Sequence, residues 1–138
     1  MTESEFLALK PRERDAVVAK RVMGFCPHDS SMVEPDTFRG EVSYYWCCWC
    51  FDRRPSRHAF DQPRYTTDIS AAWQVVEKMR EDPEPRLRTL RLVAYSYNRT
   101  YATFDSSAEG DDWTEANGEH ATPLAICLAA LKAKGAIE

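Results

Sequence analysis

The sequence lacks the features that mark several large classes of protein. Its 138 residues contain no long apolar run, so we expect no transmembrane helix. The polar start Met1-Thr-Glu-Ser-Glu does not have the pattern of a signal peptide, which favours a cytoplasmic protein. Acidic residues outnumber basic ones, and the net charge of −4 argues against a general nucleic-acid-binding protein, because phosphate neutralisation requires a surplus of Lys and Arg.

Catalytic signatures are also missing. The three histidines, His28, His58 and His120, are scattered along the chain. No Gly-x-Ser-x-Gly, His-Glu-x-x-His or phosphate-loop motif occurs. Because no nucleophile and base are brought together by any pattern, we expect a protein that is not an enzyme.

What the sequence does contain is typical of a folded globular domain. Hydrophobic residues make up 43% of the chain and aromatic residues 12%. The length suits one domain spanning residues 1–138. Within it, residues 1–9 show no periodicity and are expected to form a loose N-terminal lead-in.

The best-defined element is a central amphipathic helix. Either Thr67 or Asp68 can serve as its N-cap, and Pro83 lies beyond its end at about Arg80. One face of this helix is apolar and carries Ile69, Ala72, Trp73, Val76 and Met79. We therefore expect this face, and Trp73 in particular, to be buried.

Two further helices and three strands complete the expected fold. Helices are expected from Pro11 to about Met23 and, with Thr122 as N-cap, from Pro123 to about Lys134. Strands are expected over Val42–Phe51, Leu87–Tyr97 and Thr100–Asp105, and the acidic stretch Ser106–Glu119 is expected to be a loop. This order predicts an α+β protein with a mainly antiparallel sheet and helices packed on it.

Three of these segments resemble a known family. The segment Tyr65–Met79 is similar to the central motif of the phage ABA (α–β–α) sandwich domain family of small phage proteins. The segment Arg14–Phe25 resembles its opening helix, where the family more often has Trp at the position of Phe25, and Ala121–Lys132 resembles its closing helix. The resemblance implies phage origin and a three-layer α-β-α sandwich with about three helices on a mainly antiparallel sheet.

Four residues have the spacing of a metal site. Cys47 and Cys50 form a C-x-x-C pair, and Cys26 and His28 form a C-x-H pair upstream. Cys48 and His58 are alternates. A metal bound there would be a structural zinc ion, because no carboxylate or open position suggests an activated water. The competing interpretation is that these cysteines are buried apolar side chains of a strand.

A second candidate site is a basic cluster just before the central helix. It contains Arg53, Arg54, Arg57, His58 and Arg64. A helix N-terminus favours anions, and Trp49 and Tyr65 are close enough in sequence to stack on a base. The competing interpretation is that these residues pair with Asp52, Asp61 and Asp68 on the surface.

Together these features give two functional hypotheses. The first is a phage counter-defence protein that sequesters a nucleotide-derived host signal, such as a cyclic nucleotide or an ADP-ribose-like molecule, in the host cytoplasm. The alternative is a structural or protein-interaction adaptor, zinc-stabilised in one version, without a small ligand. Because a small subunit offers only a shallow surface, a homo-oligomer, most simply a dimer, is expected in the first case.

Overall fold

The structure is a computed structural model that describes residues 1–28 and 30–138. Within these residues lie four α-helices: α1 (Glu3–Ala8), α2 (Pro11–Val18), α3 (Ile69–Met79) and α4 (Ala121–Ala133). The described strands are β1 (Val33–Phe38), β2 (Glu41–Cys47), β3 (Arg53–Arg54), β4 (Arg91–Ser96), β5 (Arg99–Thr103) and β6 (Thr114–Asn117). In the described part of the chain, no helix has the length and apolar character needed to cross a membrane.

The strands form two antiparallel sheets instead of one. The N-terminal sheet has the order β1-β2-β3, and the C-terminal sheet has the order β4-β5-β6. The expected hairpin is the β4–β5 pair, whereas β1, β3 and β6 lie outside the expected strands. Strand β1 contains Pro35, which the sequence suggests as a breaker, and β6 lies within the stretch expected to be a loop. The α+β class is confirmed.

Helix α4 is the centre of the main core. Ten of its residues, between Ala121 and Leu131, are buried, so it is apolar on every side. It lies against β5 and β6 on one side and against α3 on another. Its start differs from the expected one: the helix begins at Ala121, and the Thr122 hydroxyl lies 3.0 Å from that of Thr100 instead of capping the helix.

Helix α3 has the expected bounds but buries a different face. Asp68 is the N-cap, and its side chain accepts a hydrogen bond from the backbone of Ser70. The buried residues are Ala71, Ala72, Val75, Val76 and Met79. The expectation that Trp73 is buried was wrong, since its exposed fraction is 48%. The spacing of the apolar residues predicted one buried face of α3. The structure instead buries the side that carries Ala71 and Val75 and leaves the Trp73 indole at the edge of the buried surface.

The N-terminal residues are ordered, so the expected loose lead-in was wrong. Thr2 and Glu5 form a capping box at the start of α1, and the α1 residue Phe6 is completely buried. After α2, which begins at Pro11 as expected, a π-helical turn runs over Ala19–Met23. Gly24, with a φ of 73°, closes this turn, because a left-handed conformation is accessible to glycine without strain.

Candidate metal centre

The four residues with metal-site spacing lie together in the structure. The ligand atoms of Cys26, His28, Cys47 and Cys50 are all within 4.8 Å of one another. The Cys26 and Cys47 sulfurs are 3.7 Å apart, and His28 Nε2 lies 3.3 Å from the Cys50 sulfur. With Zn–S bonds of about 2.3 Å and a Zn–N bond of about 2.0 Å, the ligand atoms of a tetrahedral site are roughly 3.5–3.8 Å apart. The cluster is therefore able to hold a metal ion.

The C-x-x-C pair spans the end of strand β2 and the turn that follows it. Strand β2 ends at Cys47, and the next three residues form the turn. The turn is closed by a hydrogen bond from the Phe51 N–H to the Cys47 carbonyl at 2.8 Å, and the Cys47 N–H donates to the Asp52 carbonyl at 3.0 Å. This geometry removes the main objection to a metal site, which was that adjacent residues of a strand point to opposite faces.

Phe51 explains why the sequence pattern does not predict this turn. Its φ is 60°, in the left-handed region where glycine is the usual residue. A glycine after the second cysteine signals such a turn in a sequence, whereas phenylalanine there favours a continued strand. The strand was therefore expected to run to Phe51, but it stops four residues earlier, at Cys47.

The C-x-H pair lies in a separate segment of the chain, between the π-helical turn and β1. Cys26 follows the glycine that closes the π-helical turn, and its carbonyl accepts a hydrogen bond from Gln62 Nε2 at 2.9 Å. His28 has a φ of 45°, and its ring meets the Phe60 ring edge-on, with centroids 5.1 Å apart. The Phe60 backbone also forms a hydrogen bond with the His28 ring. A hydrogen bond to a backbone carbonyl is the usual way in which proteins orient a metal-binding histidine.

The electrostatics favour the ligating forms of His28 and Cys47. Burial, and then the positive charge of Arg54, lowers the pKa of His28, which favours the neutral imidazole that binds metals. Burial by itself raises the pKa of Cys47, but the backbone N–H groups of Cys50 and Trp49, with the Cys26 thiol, bring it below its ordinary value. Burial, and then the thiols of Cys47 and Cys50, raises the pKa of Cys26 to about 11. Of Cys26 and Cys47, Cys47 is therefore the thiol that ionises more readily.

The two alternates are outside the cluster. The Cys48 N–H donates to the Met32 carbonyl at 2.8 Å, and its side chain is not among the four. The His58 side chain is 94% exposed, and its Nδ1 lies 3.7 Å from an Asp61 carboxylate oxygen. The fifth cysteine, Cys127, is buried in the main core, where its thiol donates to the Tyr65 carbonyl at 3.2 Å.

The basic residues expected to bind an anion do not converge. Arg54 forms a salt bridge with Asp52 at 2.9 Å and donates to the Ala59 carbonyl. Arg57 donates to the Val33 carbonyl at 2.9 Å. Arg64 lies apart from them, in a cleft with Asp15, Thr67 and Asp68 at the start of α3, where Asp68 already caps the helix.

The two aromatic residues expected to stack on a base have opposite environments. Tyr65 is completely buried in the main core and is not available for stacking, so that expectation was wrong. Trp49 is 68% exposed on the turn of the metal site. Three members of the basic cluster, Arg53, Arg54 and Arg57, lie over aromatic rings, and the guanidinium carbon of Arg53 is 5.0 Å from the centroid of Tyr44. Among the described residues, Arg53 forms no salt bridge.

The profile of the phage ABA sandwich domain matches residues 16–131 of the 138, which is most of the chain. The chain belongs to the phage ABA sandwich family. The family name describes an α-β-α sandwich, in agreement with the α+β fold and with the packing of α4 on the antiparallel C-terminal sheet. The matched range contains all four residues of the metal cluster, whereas α1 lies outside it. The chain has no match among curated proteins and none among solved structures.

Proposed function

We propose that this phage ABA sandwich protein is a non-enzymatic binding module whose N-terminal sheet is held by one zinc ion. The observation that carries the proposal is the convergence of three sulfur atoms and one imidazole nitrogen within 4.8 Å. A set of three cysteines and one histidine is typical of structural zinc. Soft thiolate ligands also select against magnesium and calcium, which prefer oxygen.

The zinc has a structural role in this proposal. Four protein ligands complete a tetrahedral shell, so no coordination position is left for a substrate or an activated water. The ion joins Cys26 and His28, which follow the π-helical turn, to Cys47 and Cys50 at the end of β2. It thus fixes the turn at residues 48–50 relative to the helices. On this turn and at the far end of the sheet, Trp49, Phe51 and Phe38 are all more than 60% exposed, which supports a binding surface.

The finer form of the proposal is that the module sequesters a nucleotide-derived host signal in the host cytoplasm. Arg53 supports this form, since its guanidinium is not used in a salt bridge within the described residues and lies beside aromatic rings. A reducing cytoplasm also keeps cysteine thiols available for zinc. The competing form is an adaptor that docks a protein, and the exposed rings of Phe38 and Trp49 support it.

The proposal includes association of at least two copies. The clefts described for the single chain are open to solvent, whereas two subunits that meet can enclose a ligand. A symmetric dimer is the simplest arrangement, because a single surface patch then serves both subunits.

The decisive experiment is native mass spectrometry of the full chain purified from cells, together with elemental analysis. We expect one zinc per chain, released by a strong chelator, and the same spectrum reports the oligomeric mass and any retained nucleotide. The variant Cys50→Ser should lose the metal, whereas the neighbouring control Cys48→Ser should keep it, since Cys50 belongs to the cluster and Cys48 does not.

Two results would contradict the zinc proposal. A folded wild-type protein that contains only a trace of zinc per chain would remove the metal from the structure. Equal zinc in Cys50→Ser and Cys48→Ser would show that the ion is held elsewhere. A dimeric mass without a nucleotide would favour the adaptor form over sequestration.

A further inference from the structure

We propose that the outer face of the N-terminal sheet carries a nucleotide-binding slot. The slot is a cleft of about 250 Å³ lined by Asp36, Tyr44, Trp46, Phe51 and Arg53. Strand alternation places Tyr44 and Trp46 on the face opposite Tyr45 and Cys47, so the slot and the metal cluster lie on opposite sides of β2. The slot is thus a site separate from the metal ligands.

Aromatic rings form the apolar part of the slot. The rings of Trp46 and Phe51 lie within 7° of parallel, with centroids 6.4 Å apart. Phe51 is 71% exposed, so its ring is accessible to a ligand. A nucleic-acid base of any kind can stack on such faces, because every base has a π-face. The volume is on the scale of a single base with its sugar, which is below the usual range for drug-sized ligands.

The slot contains one acidic and one basic side chain, and these favour a ligand that carries both a hydrogen-bond donor and a phosphate. Arg53 pairs with Trp46 across β2 and β3, and its guanidinium can bind a phosphate through two parallel hydrogen bonds. Asp36 pairs with Tyr44 across β1 and β2 and accepts a hydrogen bond from the Tyr44 hydroxyl, leaving further acceptor positions for an exocyclic amino group. Arg53 repels a simple cation and Asp36 repels a simple anion. A nucleotide carries both a donor edge and a phosphate.

The slot depends on the metal cluster through one residue. Phe51 follows the ligand Cys50 directly, and its N–H donates to the carbonyl of the ligand Cys47 at 2.8 Å. Its left-handed φ of 60° is costly for phenylalanine and needs a fixed turn. The inference therefore rests on the proposed function: zinc holds the turn, and the turn holds the Phe51 ring against Trp46.

The test is isothermal titration calorimetry of the full, zinc-loaded chain. The probes are AMP, cyclic di-AMP, ADP-ribose and a short oligo(dA), because a base with a phosphate can come from a free metabolite or from a single strand. We expect micromolar binding of at least one probe. Phe51→Ala and Arg53→Gln should each weaken it by roughly tenfold or more, since stacking and phosphate contacts are separate contributions.

Matched controls come from the same sheet. Phe38 is 67% exposed and Arg39 lies over its ring at 5.2 Å, yet neither lines the slot. Phe38→Ala and Arg39→Gln should bind the probe like the wild type. Binding of the small nucleotides identifies a free metabolite as the source, and binding of oligo(dA) alone identifies a single strand.

The result that overturns the slot is distinct from the result that overturns the zinc proposal. If the chain contains one zinc but binds no probe at millimolar concentration, the slot is wrong and the zinc module stands. The same conclusion follows if Phe51→Ala and Arg53→Gln bind as tightly as the Phe38→Ala and Arg39→Gln controls. If the purified chain contains no zinc, the proposed function fails, and binding that survives chelation overturns the link through Phe51.

Discussion

The helical core and the N-terminal sheet are stabilised in different ways. Around α4 the protein buries a continuous apolar cluster that includes Phe6, Val75, Phe104 and Leu128. Among the described residues, the buried cluster of the N-terminal sheet consists of Val33, Cys47 and Phe60. Because so few apolar side chains cannot offset the entropy of ordering three strands, such a region needs a cross-link or a metal. The four metal-site residues lie in this poorly packed region.

The two regions also differ in how much apolar surface they leave free to bind a partner. The large side chains of α4 are buried, so this helix is not free to recognise a partner. The N-terminal sheet exposes Phe38, Trp49 and Phe51 instead. A metal bound as proposed would allow this arrangement, since a sheet held by a few strong bonds does not need to bury its aromatic residues.

Removal of the metal should have the largest effect and should act on one region only. Structural zinc supplies on the order of 10 kcal/mol to folding in small zinc domains. We expect chelation, or Cys47→Ser, to abolish hydrogen-exchange protection in β1 and β2, while the amides of α4 stay protected. Hydrogen exchange with mass spectrometry measures both regions in one sample.

The control for this experiment is Cys48→Ser, which removes a thiol from the same turn but outside the cluster. It should leave the protection of both sheets unchanged. A loss of protection that spreads evenly over α4 and β2 after chelation would show that the two regions are one cooperative unit.

A core truncation should have the next largest effect and should be global. Leu128 is completely buried on α4, so Leu128→Ala is expected to cost about 2–5 kcal/mol of the free energy of unfolding. Trp73→Ala removes a larger side chain, but this side chain is 48% exposed, and we expect a cost of less than about 1 kcal/mol. Urea denaturation of both variants measures the two values, and equal costs would mean that the Trp73 ring is buried in solution.

A smaller effect than that of Leu128→Ala is expected from an ion pair at the end of α4. Lys134 donates to the buried carboxylate of Asp82, and this contact, followed by the Glu84 N–H, lowers the pKa of Asp82 below its ordinary 3.8. A lowered pKa in the folded state stabilises the protein above pH 3.8, and the contribution is lost as the pH falls through the folded-state value. Lys134→Met should cost about 1–3 kcal/mol at neutral pH.

The pH profile distinguishes this ion pair from a general charge effect. Between neutral pH and strong acid, the stability of Lys134→Met should decline less than that of the wild type. The control Lys132→Met removes a partly buried lysine that donates to the Asp112 carbonyl at 3.1 Å, and its profile should follow the wild type. Parallel curves for all three proteins would rule out a specific role for Asp82.

Local patterns in the sequence were sufficient to predict several elements. Asp68 as the cap of α3, Pro11 at the start of α2 and the β4–β5 hairpin all depend on a few neighbouring residues, and each was confirmed. The capping box of Thr2 and Glu5 is also a local pattern, although residues 1–9 were expected to be loose. Spacing alone likewise selected the four members of the metal cluster, because pairs of ligands on short loops are themselves a local pattern.

By itself, then, the sequence determined the class of fold, the family, most helix bounds and the set of candidate ligands. Only the tertiary structure decided which side of α3 is buried, that Tyr65 is inside and Trp73 outside, and that the basic residues separate. It also decided that Cys26 and Cys47, 21 positions apart, place their sulfurs 3.7 Å from each other. The reason is physical: caps and turns depend on bonds between near neighbours, whereas burial and ligand convergence depend on contacts between distant segments, whose packing no local pattern encodes.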